Sequence, residues 1–143
     1  MKLFKFLTNR KENELLNYDY TKLKMFSIKG EFLGKVIDVV DGDTFTVIFK
    51  YHNEMVKNRI RLLFVDAPEI NTKDLEIKKR GLDTKYFLEK LILNKLIKFR
   101  TDKQDGFGRM LAEVFFNDDS SESINNLLIK NGYALYYKNY KKK

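Results

Sequence analysis

The chain has 143 residues, a single domain's length, and a formal net charge of +8 from 28 Lys and Arg against 20 Asp and Glu. It contains no Cys, which excludes disulfide frameworks, thiolate metal sites and Cys nucleophiles, and its single His argues against His-rich zinc sites and Ser-His-Asp triads. Carboxylate, Arg, Lys and aromatic chemistry remain, with 8 Tyr and 12 Phe.

The charge is unevenly spread. Lys73 to Lys103 carries ten basic and five acidic residues and Lys138 to Lys143 adds four Lys, which leaves the rest of the chain close to neutral. Lys and Arg release counterions from phosphates and aromatic faces stack on bases, so this composition suits a polyanion; it suits a well-solvated surface equally. No apolar run is long enough to cross a bilayer, and the apolar core of Met1 to Leu7 is too short for a secretory signal, so an intracellular protein without a membrane partner is the expectation.

Residues 1–30 are polar and weakly periodic and read as an extension ahead of a domain at 31–140, with 141–143 a basic tail. Phe32 to Val40 and Asp43 to Lys50 flank Asp41-Gly42 and predict a hairpin, with Gly42 supplying a positive φ and Phe45, Val47 and Phe49 on one face. Tyr51 to Glu54 is the next turn and places His52 at the surface. Arg59 to Val65 reads as a third strand ending in Asp66-Ala67-Pro68-Glu69, where Pro68 stiffens the bend between two carboxylates.

Ile70 to Arg80 reads as a basic loop, and Leu82 to Leu93 as a helix with Leu82, Tyr86, Phe87, Leu91 and Ile92 on one face. Lys95 to Thr101 and Arg109 to Phe116 predict two further strands around a glycine-containing turn. Ser121 to Asn131 predicts a second helix, started by Ser121 or Asp119 and stopped by Gly132. Three strands, a helix, two strands and a helix fit an α+β, mainly β fold: a five-stranded Greek-key barrel of the oligonucleotide-binding (OB) type with two to three helices. A plain mixed α+β domain fits the same order.

Three clusters sit at predicted turns: Asp41-Gly42-Asp43-Thr44; Arg61 with Asp66 and Glu69; and Asp105-Gly106-Phe107-Gly108-Arg109. Each alone has an ordinary structural explanation as a hairpin turn, a surface ion pair or a strand start. Together, in this order and spacing over about Phe32 to Tyr137, they resemble the signature segments of the staphylococcal nuclease (thermonuclease) family.

The resemblance implies Ca²⁺ held by the carboxylates of Asp43 and Asp66 and the backbone carbonyl of Ala67, with Asp41 and Thr44 in support. Ca²⁺ favours such hard oxygen donors. It implies Glu69 as general base and Arg61 and Arg109 as the two guanidinium forks on the scissile phosphate. The implied reaction is cleavage of single-stranded or locally unpaired DNA and RNA to 3′-phosphate and 5′-hydroxyl ends, by a monomer with no protein partner indicated. A noncatalytic nucleic-acid-binding module of the same fold is the alternative, and a protein-interaction domain a third. Phe107, Tyr136 and Tyr137 are further candidates for base stacking, though a Tyr near a terminal strand packs into a core as readily.

The sequence departs from the family pattern at Ala67, where a Thr is familiar, and at Gly106-Phe107, where Lys-Tyr is. It also ends soon after Tyr140, leaving little room for the family's last helix.

Overall fold

Alternation along the strands builds the core. Phe45, Val47 and Phe49 are buried on one side of β2 (Thr44–Tyr51), with Val36 and Val39 from β1 (Gly30–Asp41) and Ile60 and Leu62 from β3 (Glu54–Leu62) facing them. The computed structural model describes residues 9–138. β5 (Leu96–Gln104) and β6 (Met110–Phe116) complete a closed barrel in the order β1-β2-β3-β6-β5, antiparallel except for the β3–β6 pairing of Ile60, Arg61 and Leu62 with Met110, Leu111 and Ala112. This is the OB-type barrel expected from the order of elements. Phe49 and Phe99 meet edge to face at 5.2 Å inside it. Helix α2 (Leu75–Ile92) covers the barrel with Leu88 and Ile92, and α3 (Ile124–Lys130) with Ile124 and Leu128.

Several boundaries differ from the sequence reading. β3 begins at Glu54, five residues before Arg59, because Met55 to Asn58 pair with β2 across a turn that puts His52 and Asn53 at positive φ. It ends at Leu62, where Leu63 and Phe64 turn the chain into the short β4 (Val65–Asp66) and Phe64 takes φ 63°. Helix α2 starts at Leu75 and absorbs Lys78, Lys79 and Arg80 from the expected loop. Asp74 caps it, its carboxylate accepting from the N–H groups of Glu76 and Ile77. Its buried face is Gly81, Thr84, Leu88 and Ile92; Tyr86 is exposed and Leu82, Phe87 and Leu91 are half-buried.

Helix α3 is shorter than expected and is capped by Ser123, whose hydroxyl accepts from the Asn126 N–H at 3.0 Å. Gly132, at φ 77°, stops it as expected. Beyond it β7 (Leu135–Tyr136) pairs with β4. Ahead of β1, helix α1 (Asn9–Leu16) and a 3-10 turn at Tyr20–Lys22 bury none of their residues. That segment meets the domain through Gln104, whose side-chain amide donates to the Phe26 carbonyl, and through Ile28 packed on the core. Tyr140 and the tail at 141–143 lie outside the described residues.

Candidate active site

The loop between β1 and β2 is Gly42-Asp43, with Asp41 still in β1 and paired to Thr44. Gly42 is not among the glycines at positive φ. Its requirement is space: an added Cβ would lie 2.6 Å from Thr84 Cγ2 and 2.8 Å from Ala67 Cβ. The hairpin tip is thus pressed against helix α2 and the segment after β4. Asp43 is carried into that contact, 7% exposed, and its Oδ2 accepts from the Ala67 N–H at 2.9 Å. Its Oδ1 accepts from the Thr44 hydroxyl at 3.2 Å, while Asp41 Oδ1 accepts from the Asp43 N–H at 3.1 Å.

Arg61 comes to the same point from β3. Register pairs it with Thr44, and it faces away from the core that takes Ile60 and Leu62. Its Nη2 stands 3.4 Å from Asp43 Oδ2 and 3.7 Å from Asp66 Oδ1, and its Nη1 donates to the carbonyls of Leu62 and Val65. The positive φ of Phe64 makes this possible, since it turns the chain back so that both carbonyls and the Asp66 carboxylate face one guanidinium. Burial pushes the Asp43 carboxyl up to about 7; Arg61 pulls it down, and the neighbouring Asp41 adds to the rise.

Arg109 enters from the turn before β6. Asp105 organises it: Asp105 Oδ1 accepts from the N–H groups of Phe107 and Arg109 at 2.9 and 3.0 Å, and Oδ2 from Arg109 Nε at 2.6 Å. Arg109 Nη1 reaches the Thr44 hydroxyl at 3.4 Å, joining the second arginine to the Asp43 turn. Gly108 supplies the positive φ, 79°, that closes the loop.

These two guanidinium groups and the Asp43-Thr44 turn converge from three separate strand ends, in the order and spacing of the signature segments. The family model described as staphylococcal nuclease homologue matches residues 59–143. The chain belongs to the staphylococcal nuclease family. An uncharacterized protein of Methanocaldococcus jannaschii is 36% identical to it over 127 residues, covering 74% of this chain and 59% of that protein. The endonuclease YhcR of Bacillus subtilis is 33% identical over 78% of this chain and 9% of its own length, and the thermonuclease of Staphylococcus intermedius 32% identical over 67% and 54%. The chain therefore spans about half the length, or less, of most of these relatives.

Within this nuclease-family domain, Asp41, Asp43, Thr44, Arg61, Asp66, Ala67 and Arg109 are brought together. Glu69 is exposed beyond the Pro68 bend, on a segment held by α2. Gly81 of α2 has no room for a Cβ, which would lie 2.6 Å from the Pro68 carbonyl oxygen and 3.0 Å from that of Glu69. Tyr136 pairs with Val65 across β4–β7 and stacks on Phe64 at 5.7 Å, and the Tyr137 N–H donates to the Phe64 carbonyl. Both tyrosines thus sit on the β4 side of the site, and Phe107 on the Arg109 side, 71% exposed.

Four supporting residues had no assigned part in the sequence reading. Asp105 orients Arg109, and its place ahead of two glycines and four residues before an Arg was the available signal. The hydroxyl of Thr84, almost fully buried, lies 2.7 Å from the Tyr133 carbonyl and 3.0 Å from that of Arg80, its one hydrogen tying α2 to the segment leading into β7. Asn125 donates to the carbonyls of Leu63 and Ala112 and accepts from the Val114 N–H, fixing the turn after β3. The fourth is Gly81. Contacts so remote in sequence leave no local pattern.

The donor chemistry at the turn suits a hard cation. Asp43 and Asp66 are carboxylates facing one guanidinium nitrogen, the Asp66 side chain is 39% exposed and so open to water, and the Ala67 carbonyl is the third oxygen that the resemblance implies. Among the described residues no group of three or more His, Cys, Asp or Glu gathers as metal ligands. Among the described residues no helix is long and apolar enough to cross a membrane.

Proposed function

We propose that this domain is a Ca²⁺-dependent phosphodiesterase that hydrolyses single-stranded or locally unpaired DNA and RNA to 3′-phosphate and 5′-hydroxyl ends. The observation that carries this reading is the convergence of Arg61 and Arg109 on the Asp43-Thr44 turn. The nuclease names of several relatives agree with it.

In this reading Arg61 and Arg109 bring two guanidinium charges to one phosphate. Charge gathers on the phosphoryl oxygens as the attacking water adds, so fixed guanidinium groups stabilise the transition state more than the ground state. Glu69 takes the proton of that water. The new P–O bond forms in line with the P–O5′ bond that breaks, and the departing oxygen takes a proton from solvent to become the 5′-hydroxyl. When bound by Asp43, Asp66 and the Ala67 carbonyl, Ca²⁺ would add electrostatic stabilisation of the phosphate. Burial among the Asp43 and Asp66 carboxylates and the Leu62 and Val65 carbonyls fixes the position of the Arg61 guanidinium.

Cleavage of end-labelled single-stranded DNA and RNA should proceed with Ca²⁺ and fall to background with a chelator. No cleavage over a wide Ca²⁺ range at mildly alkaline pH overturns the proposal. Gly81→Ala provides a separate check on Glu69. Helix propensity alone would make Ala stabilising by about 0.5–1 kcal/mol, but the clash with the Pro68 and Glu69 carbonyls displaces the base. The expected result is a kcat lowered by about 10-fold or more, since small misplacements are costly, in a protein that still melts cooperatively. Unchanged kcat with a raised Tm would contradict the close approach.

A further inference from the structure

Residues two apart on a strand face the same way, so Lys57, Arg59 and Arg61 form one row on the outer face of β3, paired in register with Ile48, Thr46 and Thr44 of β2. Each step along this row is about 7 Å. Arg61, at its inner end, is buried in the site; Arg59 and Lys57 are exposed. Arg61, Arg100 and Arg109 all have carboxylate partners, but Arg59 and Lys57 have no ion pair among the described residues.

Beside Arg59 opens a cavity of about 310 Å³ walled by Asn58, Arg59, Phe107, Gly108 and Arg109. The exposed Phe107 ring lies 5.3 Å from the Arg109 guanidinium. Asp105 is engaged with Arg109; Asp38 reaches the same face only across β2, through its pairing with Thr46. A row of cations at regular spacing, with an aromatic face alongside, is the arrangement that tracks a nucleic-acid backbone while a base stacks beside it.

We infer that this row is a strand-tracking extension of the active site. Arg61 and Arg109 hold the phosphate to be cut, Arg59 holds the neighbouring phosphate and Lys57 the one beyond, with a base against Phe107. The occupant is a single strand, because bases paired and stacked in a duplex cannot lie on Phe107. The inference rests on the phosphodiesterase reading and adds that substrate length is recognised on the β3 side.

The test is fluorescence anisotropy with Ca²⁺ in a Glu69→Gln background, using a labelled thymidine decamer, a thymidine dinucleotide and a duplex decamer over a salt series. Arg59→Ala should weaken decamer binding several-fold and lower the slope of log K against log salt by about 1. Arg59→Lys should restore that slope, and Phe107→Ala should weaken binding by about tenfold with little change in slope. Lys90→Ala, which removes the same charge from the far end of α2, should leave decamer binding unchanged.

The dinucleotide, too short to reach along the row, should lose little from Arg59→Ala. Equal loss for dinucleotide and decamer, equal loss from Lys90→Ala, or a duplex bound as tightly as the single strand would overturn the inference. Should the wild-type chain cleave with Ca²⁺ while Arg59→Ala binds the decamer as its parent does, the strand track alone fails. Should it neither bind nor cleave, the phosphodiesterase reading fails with it.

Discussion

Arg61→Lys is expected to lower kcat for oligonucleotide cleavage by about 10²–10³, the range seen when a preorganised donor is lost from a transition state. The guanidinium of Arg61 faces the Asp43 and Asp66 carboxylates and donates to the carbonyls of Leu62 and Val65 at the same time. An ammonium group has no planar fork and cannot satisfy that set while keeping donors for a phosphate. Because the residue is buried, the same change should also cost stability, about 1–3 kcal/mol for the carbonyls left unpaired. Arg109→Lys provides the contrast. Asp105 and the Thr44 hydroxyl hold Arg109 at a half-buried position, so its loss should lower kcat with a smaller change in Tm. Cleavage by Arg61→Lys within a few-fold of the parent would remove Arg61 from the chemistry.

Asp43→Asn should abolish Ca²⁺-dependent cleavage and yet raise the stability of the metal-free protein at pH 8. Burial raises the folded-state pKa of Asp43 to about 7, from 3.8 for an unperturbed Asp. The folded state therefore favours the protonated carboxyl. Its contribution is complete below pH 3.8, declines as pH rises towards 7, and is gone above that, where a buried carboxylate must be kept charged. The difference is on the order of a few kcal/mol. Asn is neutral at every pH and keeps an acceptor for the Ala67 N–H. Thermal melts from pH 5 to 8 should show the Tm of the parent falling more steeply than that of the variant, and Ca²⁺ raising the parent's alone. A variant that melts below the parent at pH 8 without metal would contradict this.

Much of the candidate site was legible through the family resemblance, because the three segments that carry it sit at turns. Asp41 to Thr44, Arg61 to Glu69 and Asp105 to Arg109 each combine charged residues with a Gly or Pro, and their order fixes which strand ends must meet. The barrel followed from short β-branched and aromatic runs separated by such turns. Helix α2 extends further than its pattern predicts because Asp74 precedes a charged run rather than an apolar one, which hides the cap and gives its basic first turns the composition of a loop. Ile92, Phe87 and Leu91 of the expected face do pack on the core, but two small residues, Gly81 and Thr84, make the closest approaches, and hydrophobic periodicity weighs large side chains. Gly42 shows the same limit: a glycine beside Asp in a hairpin signals positive φ, but here the missing Cβ admits Ala67 and Thr84. The ties from Asn125 and Thr84 join positions 49–62 residues apart and leave no local pattern.

The proposed reaction has Glu69, Arg61 and Arg109 cleaving a phosphodiester beside Asp43 and Asp66. Its most direct test is end-group analysis of the products from one labelled oligonucleotide, cut with Ca²⁺ by the parent chain and by Glu69→Gln. The account predicts 3′-phosphate and 5′-hydroxyl ends from the parent, and the same ends at a rate lower by about 10²-fold or more from the variant, in keeping with the usual contribution of a general base. Products ending in 5′-phosphate, or a variant that cuts as fast as the parent, would contradict it.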